Sequence, residues 1–185
     1  MNMKNKKIKW ICLVLGIVLV LCVAIKGCYY EKKLDNPNLT SYIFNANIEQ
    51  VRIAIVNNDE EYEEKHLYLW SEVEDKEITS HTDFKKEVLL ARFDDIESKI
   101  YFRFGKPLLY TVEFNIHLDS ISENKTRVEI FTLEPKIFIF GFGAGHIGIN
   151  REKEVPPSTI EEYEILLSIG EQLGEKGMPP CNYPK

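Results

Sequence analysis

Hydrophobic and polar positions follow three distinct patterns along the chain. Residues 10–25 form an unbroken apolar run directly after a lysine-rich start. Residues 110–118 alternate between apolar and polar, and this period of two predicts a β-strand with one buried face. Residues 158–174 carry apolar side chains at helical spacing. The pattern therefore predicts an apolar leader followed by a folded domain that contains both strands and helices.

The leader, residues 1–30, has the pattern of a membrane anchor or export signal. Four lysines between Lys4 and Lys9 precede the apolar run, which has no polar face. As a helix the run would span about 24 Å, somewhat less than the roughly 30 Å hydrocarbon layer, and Lys26 can extend towards the interface. Because lysines mark the cytoplasmic end of such helices, the sequence predicts an N-terminal membrane helix with an extracytoplasmic domain behind it.

The end of the apolar run offers a second way to attach the chain to the membrane. Ile25-Lys26-Gly27-Cys28 resembles the lipobox of bacterial lipoproteins, in which the cysteine is lipidated. Lys26 departs from that pattern, so an uncleaved single-pass anchor ranks first, lipidation at Cys28 second and a cleaved, secreted form third. Pairing of Cys28 with Cys181 also stays open, because it depends on their distance. Each outcome places the domain outside the cytosol.

The segment after the leader predicts a linker and a first strand and helix. Residues 31–40 are polar and indicate a linker. Ser41–Ala46 predicts a short strand. Asn47 is expected to cap a helix together with Gln50, and the helix should end at Asn57.

From residue 85 onwards the pattern is that of β-structure. Polar residues such as Asp94-Asp95 and Glu134-Pro135 divide this region into short apolar stretches. We expect at least four consecutive antiparallel strands with one apolar face, and that face needs a cover. The predicted strands are Lys86–Phe93, Lys99–Phe104, Tyr110–Leu118, Thr126–Leu133 and Lys136–Phe142.

A long amphipathic helix near the C-terminus is the predicted cover. Ser158 and Glu161 match a capping box at its start, and Gly174 indicates its end. Gly170 lies inside the apolar stripe and predicts a close approach to the sheet. The apolar stripe consists of Ile160, Tyr163, Leu166, Leu167, Gly170 and Leu173, and the solvent-facing side is expected to carry Glu161, Glu162, Glu164 and Glu171.

Charge divides the chain into the same two parts. The formal net charge of −6 combines +6 over residues 1–33 with −12 over the remaining 152 residues. An acidic domain repels phosphates, so nucleic acid is excluded as a partner.

Candidate motifs for catalysis and cofactors do not fit their structural context. Gly143–Gly148 matches G-x-G-x-x-G, but Pro156-Pro157 places the following helix about ten residues too late for dinucleotide binding. The four histidines lack the spacing of a metal site, and no nucleophile motif occurs. We therefore predict no catalytic, cofactor-binding or metal-binding residues, and a binding function over an enzymatic one.

The order of strand, helix, antiparallel strands and C-terminal helix resembles the START-like, polyketide-cyclase or Bet v 1-like superfamily. The resemblance rests on Ser41–Val51 and Ser158–Gly174 and covers about residues 40–175. It implies an α+β domain at 41–175, in which an antiparallel sheet grips the C-terminal helix (helix-grip fold), followed by an irregular tail at 176–185. It also implies an apolar cavity between the sheet and that helix. Together with the anchor, this pattern leads to the hypothesis of a membrane-tethered domain that binds an apolar or lipid-like small molecule. The candidate lining is Phe102, Phe104, Phe114, Phe138, Phe140, His146, Tyr163 and Leu167.

An acidic stretch between residues 59 and 77 supports a second hypothesis. Such a run is most often a solvated surface. It could also bind a basic protein partner, as in an inhibitor or immunity-type lipoprotein. The candidate partner surface is Glu60, Glu61, Glu63 and Glu64.

Overall fold

The computed structural model describes residues 10–17, 29–57, 67–70, 86–140 and 151–185. It is an α+β structure with an antiparallel sheet and a C-terminal helix, as the sequence predicts. The strands are β1 (Tyr30–Glu31), β2 (Ser41–Phe44), β3 (Leu67–Trp70), β4 (Lys86–Arg103), β5 (Lys106–Ser122), β6 (Lys125–Phe140) and β7 (Arg151–Glu154), and the helices of the domain are α1 (Ile48–Asn57) and α2 (Ile160–Gln172). A further helical segment covers residues 10–17.

Three long strands form the centre of the sheet. β4, β5 and β6 follow one another as an antiparallel meander. β1 and β3 both pair with the free edge of β4, and β2 and β7 both pair with the free edge of β6. All of these pairings are antiparallel.

The strand breaks predicted at polar residues are wrong, because β4 and β6 continue through them. Asp95 adopts a φ of 52° at a register shift in β4, and its N–H donates a hydrogen bond to Thr111 Oγ1 at 3.1 Å. Ser98 is buried at a second shift, and its hydroxyl oxygen accepts a hydrogen bond from the N–H of Tyr101 at 2.9 Å. Glu134 has a φ of 42° beside a third shift, in β6. These polar residues form bulges within continuous strands, where their side chains and unusual backbone angles are tolerated.

The buried face of the sheet follows the predicted alternation. The five apolar positions of the predicted alternation in β5 are at most 2% exposed, which confirms the period of two. They are Tyr110, Val112, Phe114, Ile116 and Leu118. Residues of α1 and α2 join the same hydrophobic core, so both helices cover this face. On the opposite face, Phe131 is 43% exposed and packs against the ring of His117 at a centroid distance of 4.8 Å.

The predicted capping of α1 is confirmed. The N–H of Gln50 donates a hydrogen bond to Asn47 Oδ1 at 2.8 Å, and the N–H of Asn47 donates one to Gln50 Oε1 at 3.0 Å. This reciprocal pair satisfies two donors at the beginning of the helix. Val51 and Ile55 then face the core.

The predicted beginning of α2 is corrected by the structure, and its predicted end is confirmed. Thr159, with a φ of 62°, precedes the helix, while the hydroxyl of Ser158 accepts a hydrogen bond from the N–H of Ile160 at 3.0 Å. The cap is therefore shifted by one residue from a capping box centred on Ser158. At the other end Gly174 has a φ of 67°, and the N–H of Glu175 donates a hydrogen bond to the carbonyl of Gly170 at 2.8 Å. This confirms the predicted end of the helix.

Gly170 lies where α2 meets both the sheet and the tail. A Cβ atom at this position would be 3.5 Å from the ring of Phe44 in β2 and would overlap the sulfur of Met178. The close approach predicted for this glycine is thus confirmed, with the tail as the nearer neighbour. Residues 175–185 contain neither helix nor strand, as expected.

Residues 30–38, most of which were expected to form a linker, are bonded to the domain. β1 pairs with β4, and the N–H of Lys32 donates a hydrogen bond to the carbonyl of Ile100 at 2.8 Å. The side chain of Asn38 accepts a hydrogen bond from the N–H of Asn182 at 2.7 Å and donates one to the carbonyl of the same residue at 2.9 Å. The segment therefore connects the edge of the sheet with the C-terminal tail.

The helical segment at residues 10–17 exposes its apolar side chains. Trp10 is 68% exposed and Leu15 is 62% exposed. Among the helices in the described part of the chain, none is long and apolar enough to cross a membrane. Residues 18–28, which include the rest of the predicted apolar run and Cys28, lie outside the described residues.

Candidate functional site

A groove of about 740 Å³ lies between the bulged part of β4 and the outer side of α2. The register shifts in β4 flank residues 94–101, and most of the strand residues of the groove lie in this irregular stretch. Its described lining residues are Phe93, Asp95, Ile96, Glu97 and Lys99 from β4 and Glu161, Glu164, Leu167, Ser168 and Glu171 from α2.

One wall of the groove is apolar. Phe93 is 5% exposed and packs edge-on against Phe114, with ring centroids 5.6 Å apart. Ile96 and Leu167 are only partly buried and pack against the core. These side chains give the groove an apolar surface that is continuous with the interior of the domain.

Glu161 lies deepest among the charged residues of the groove. Its side chain is in the first turn of α2 and the residue is only 1% exposed. The hydroxyl of Ser158 donates a hydrogen bond to Glu161 Oε2, whereas Glu161 Oε1 has no hydrogen-bond partner in the part of the chain that the structure describes. Loss of hydration on burial raises the pKa of this carboxyl group, and the bond from Ser158 and the charge of Lys99 partly offset that effect.

Glu162, the neighbouring residue, is a second buried carboxylic acid. It is 3% exposed, and the hydroxyl of Thr132 on β6 donates a hydrogen bond to its Oε1 atom. Burial raises the pKa of Glu162, and the charge of Glu161 raises it further. Glu162 does not line the groove.

The prediction that Glu161 and Glu162 belong to the solvent-facing side of α2 is therefore wrong. Both carboxyl groups are buried in the first turn of the helix, Glu161 beside Ser158 and Glu162 against Thr132 of the sheet. Hydroxyl donors make this burial tolerable, because a buried carboxyl group needs hydrogen-bond partners. Ser158 was visible in the sequence as a capping residue, but Thr132, 30 residues away, carries no local signal.

Two buried tyrosines stand next to these acids. The hydroxyl of Tyr101 donates a hydrogen bond to the carbonyl of Pro156 at 2.7 Å, and its ring centroid is 6.3 Å from that of Tyr110. Burial raises the pKa of both hydroxyl groups, and the charge of Glu161 raises it further. Both tyrosines therefore remain neutral hydrogen-bonding groups.

Two charged residues of the groove form an ion pair that the tail contacts. Lys99 Nζ on β4 forms an ion pair with Glu164 Oε2 on α2. The hydroxyl of Tyr183 donates a hydrogen bond to the other oxygen of Glu164 at 2.7 Å. These contacts hold β4, α2 and the tail together at the surface. Among the described residues, no cluster of acidic, histidine or cysteine side chains is arranged to hold a metal ion.

The structure separates the residues that the sequence placed around a cavity. Leu167 lines the groove, and Phe114 and Tyr163 are buried in the core at 1% exposure. Phe104 is 71% exposed in the turn between β4 and β5. The side chain of Phe140 and the whole of His146 lie outside the described residues.

Two further phenylalanines from that set lie on the outer face of the sheet. Phe102 stacks on Tyr30 at a centroid distance of 5.8 Å. Phe138 lines a smaller polar groove beside Arg92. Successive residues of a strand point to opposite faces, and Ile137 takes the buried position. The groove between β4 and α2 is not lined by Phe102, Phe104 or Phe138.

The candidate partner surface at Glu60, Glu61, Glu63 and Glu64 lies outside the described residues, as does the glycine-rich stretch at 143–148. The chain matches no known family model, no curated protein and no solved structure. Any function of the groove must therefore be argued from its own residues.

Proposed function

We propose that the chain is a membrane-tethered, extracytoplasmic domain that binds a small apolar or lipid-like molecule without transforming it. The observation that carries the proposal is the groove between β4 and α2. Its volume of about 740 Å³ is in the range of small-molecule sites, which combine an apolar wall with a few polar groups. Phe93, Ile96 and Leu167 supply that wall.

The arrangement of elements supports the same proposal. A first strand and helix, an antiparallel meander and a C-terminal helix on one face resemble the START-like superfamily in their order. That resemblance implies a helix-grip fold with its ligand between the sheet and the last helix. The groove lies between β4 of the sheet and α2.

Support for the tether comes from the leader. An apolar run at residues 10–25 follows a cluster of lysines, and the helical segment at 10–17 exposes large apolar side chains. Apolar surface of this kind requires a cover, and a bilayer supplies one. Protease added to intact cells should digest the domain if it is extracytoplasmic, and protection until lysis would contradict this part of the proposal.

The binding function is tested by filling the groove. Leu167→Trp places a large side chain in the groove, and Phe131→Trp places the same side chain on the exposed opposite face. Both full-length variants and the wild-type chain are purified in parallel, and their solvent extracts are compared by mass spectrometry. We expect a small molecule in the extracts of the wild type and of Phe131→Trp, and its loss from Leu167→Trp. Identical extracts from all three proteins would contradict ligand binding in the groove.

A second candidate function, binding of a basic protein partner, is favoured by the charge of the domain. The 152 residues after Lys33 carry a formal charge of −12, and acidic residues are concentrated at Glu60, Glu61, Glu63 and Glu64. Complementary charge accelerates association and selects the partner. Reversal of these four charges to lysine should abolish partner capture, and an unchanged set of captured proteins would contradict this candidate.

A further inference from the structure

One oxygen of Glu161 is a hydrogen-bond acceptor without a partner. The residue is 1% exposed and lines the groove, and its Oε1 atom has no hydrogen bond from the described residues. A buried carboxyl oxygen left unpaired costs free energy, so such an atom in a native structure indicates a missing donor. Glu161 lines the groove, and a ligand bound there can supply that donor.

The donors near Glu161 are already engaged. The hydroxyl of Ser158 is bonded to Glu161 Oε2, and Lys99 is paired with Glu164. Tyr101 donates its hydroxyl hydrogen to the carbonyl of Pro156. Neither hydroxyl group can satisfy Oε1 without giving up the bond that it makes now, and the Lys99 ammonium group, which is paired with Glu164, makes no hydrogen bond to Oε1.

The charges around the groove determine whether it favours a cationic or an anionic ligand. Five carboxyl groups and one lysine are among its described lining residues. The carboxyl groups are those of Asp95, Glu97, Glu161, Glu164 and Glu171. Such a surface attracts a cation and repels an anion, even after the screening that exposed charges undergo.

We propose that the groove binds a small amphipathic primary amine, whose ammonium group donates a hydrogen bond to Glu161 Oε1. The apolar part of the amine packs against Phe93, Ile96 and Leu167. This inference rests on the proposed binding function and names the chemical class of the ligand. A neutral alcohol supplies one hydrogen bond but no charge, and a carboxylate ligand meets like charges. The ammonium ion supplies both a donor and a compensating charge.

Three probes of equal shape test the class of ligand. 4-Phenylbutylamine, 4-phenylbutan-1-ol and 4-phenylbutyrate are titrated into the full chain in phosphatidylcholine nanodiscs, with empty nanodiscs as the blank. Ligand-observed NMR measures each dissociation constant. Because a hydrogen bond to a charged group is stronger than a neutral one, we expect the amine to bind about tenfold more tightly than the alcohol, and the carboxylate most weakly.

Two neighbouring buried carboxyl groups supply a matched pair of variants. Glu161→Gln removes the charge at the groove, whereas Glu162→Gln removes an equally buried charge that does not line it. Glu161→Gln should weaken binding of the amine about tenfold and change that of the alcohol by less than about twofold. Glu162→Gln should change both by less than about threefold, because Glu162 does not line the groove.

The outcomes separate this inference from the function on which it rests. If the wild-type chain binds the amine and the alcohol equally, water rather than the ligand satisfies Glu161 Oε1, and the inference is overturned while the groove remains a ligand site. This comparison needs no variant, so it holds even if Glu161→Gln does not fold. If none of the three probes binds, the proposed binding function is overturned and the inference with it.

Discussion

The hydroxyl of Thr132 on β6 donates a hydrogen bond to the buried carboxyl group of Glu162 on α2. This contact joins the middle of the sheet to the first turn of the helix that covers it. Glu162 would otherwise be a buried acid held only by nearby backbone groups. The pair thus fixes where the beginning of α2 lies on the sheet, next to the groove.

Removal of the Thr132 hydroxyl group, which donates the hydrogen bond to Glu162, should destabilise the domain. We expect Thr132→Val to lower the free energy of unfolding by about 1–2 kcal/mol, because it leaves the Glu162 carboxyl with an unmet acceptor. The double variant Thr132→Val/Glu162→Leu replaces both partners by apolar groups and should regain most of that loss. Urea unfolding of the full chain measures both. A double variant less stable than either single variant would show that the pair has another role.

Stability should fall as pH rises from the mildly acidic range. Burial raises the folded-state pKa of Glu161 and Glu162 above their ordinary value of 4.5, so the folded chain holds these protons more tightly than the unfolded chain. The stabilisation is complete below about pH 4.5 and is lost as pH rises through the folded-state pKa values. Within that window each group changes the free energy of unfolding by up to about 1.4 kcal/mol per pH unit.

The variant Glu162→Gln separates the effect of one buried carboxyl group on stability from all other titrations. The stability difference between Glu162→Gln and the wild type should shift in favour of the variant as pH increases, since glutamine cannot ionise. Urea unfolding at pH values between 4 and 8 gives this difference directly. Glu171→Gln, at an exposed position of the same helix, serves as the control and should leave the pH profile unchanged. If the stability difference between Glu162→Gln and the wild type does not change with pH, the raised pKa of Glu162 does not contribute to the pH dependence of stability.

The bulge in β4 should depend on one hydroxyl group. Ser98 Oγ accepts hydrogen bonds from the backbone N–H groups of Ile100 and Tyr101, at 3.3 and 2.9 Å. Ser98→Ala leaves both buried donors unpaired and should destabilise the domain by about 1–3 kcal/mol. Ser120→Ala, which removes a weaker hydroxyl contact at 3.3 Å, should cost less than about 0.5 kcal/mol. Thermal unfolding of both variants checks this, and equal effects would contradict a special role for Ser98.

Gly170 should couple the helix to the tail. A methyl group at this position overlaps Met178, while alanine improves helix propensity by about 1 kcal/mol. We therefore expect Gly170→Ala to gain less than this alone, and the full amount only together with Met178→Ala. A double-mutant cycle by urea unfolding measures the coupling, and strictly additive effects would show that the two residues do not interact.

Local patterns in the sequence predicted most of the elements. The alternation in β5, the reciprocal cap of α1 and the glycine at the end of α2 involve residues that are close in sequence, and all three are confirmed. The division of β4 and β6 at polar residues is wrong. Asp95 and Ser98 are polar because they form bulges, and a bulge is recognisable only from the partner strand that continues past it.

The residues of the groove, too, could be predicted from the sequence only in part. Leu167 was among the residues expected around a cavity, and it lines the groove. Phe138 was grouped with it from composition, but the register of β6 turns it to the other face. Glu161 was assigned to solvent, because an acidic residue on an amphipathic helix is usually exposed.

The sequence by itself determined the class of the fold, because periods of two and of 3.6 residues specify strands and helices locally. It also determined the charge of the domain and the apolar leader. Only the tertiary structure decided which carboxyl groups are buried. Burial of Glu161 and Glu162 depends on Ser158, which is near in sequence, and on Thr132, which is far away and meets the helix only after the sheet has formed. Long-range contacts of this kind leave no periodic trace, and they place the unpaired oxygen of Glu161 at the groove.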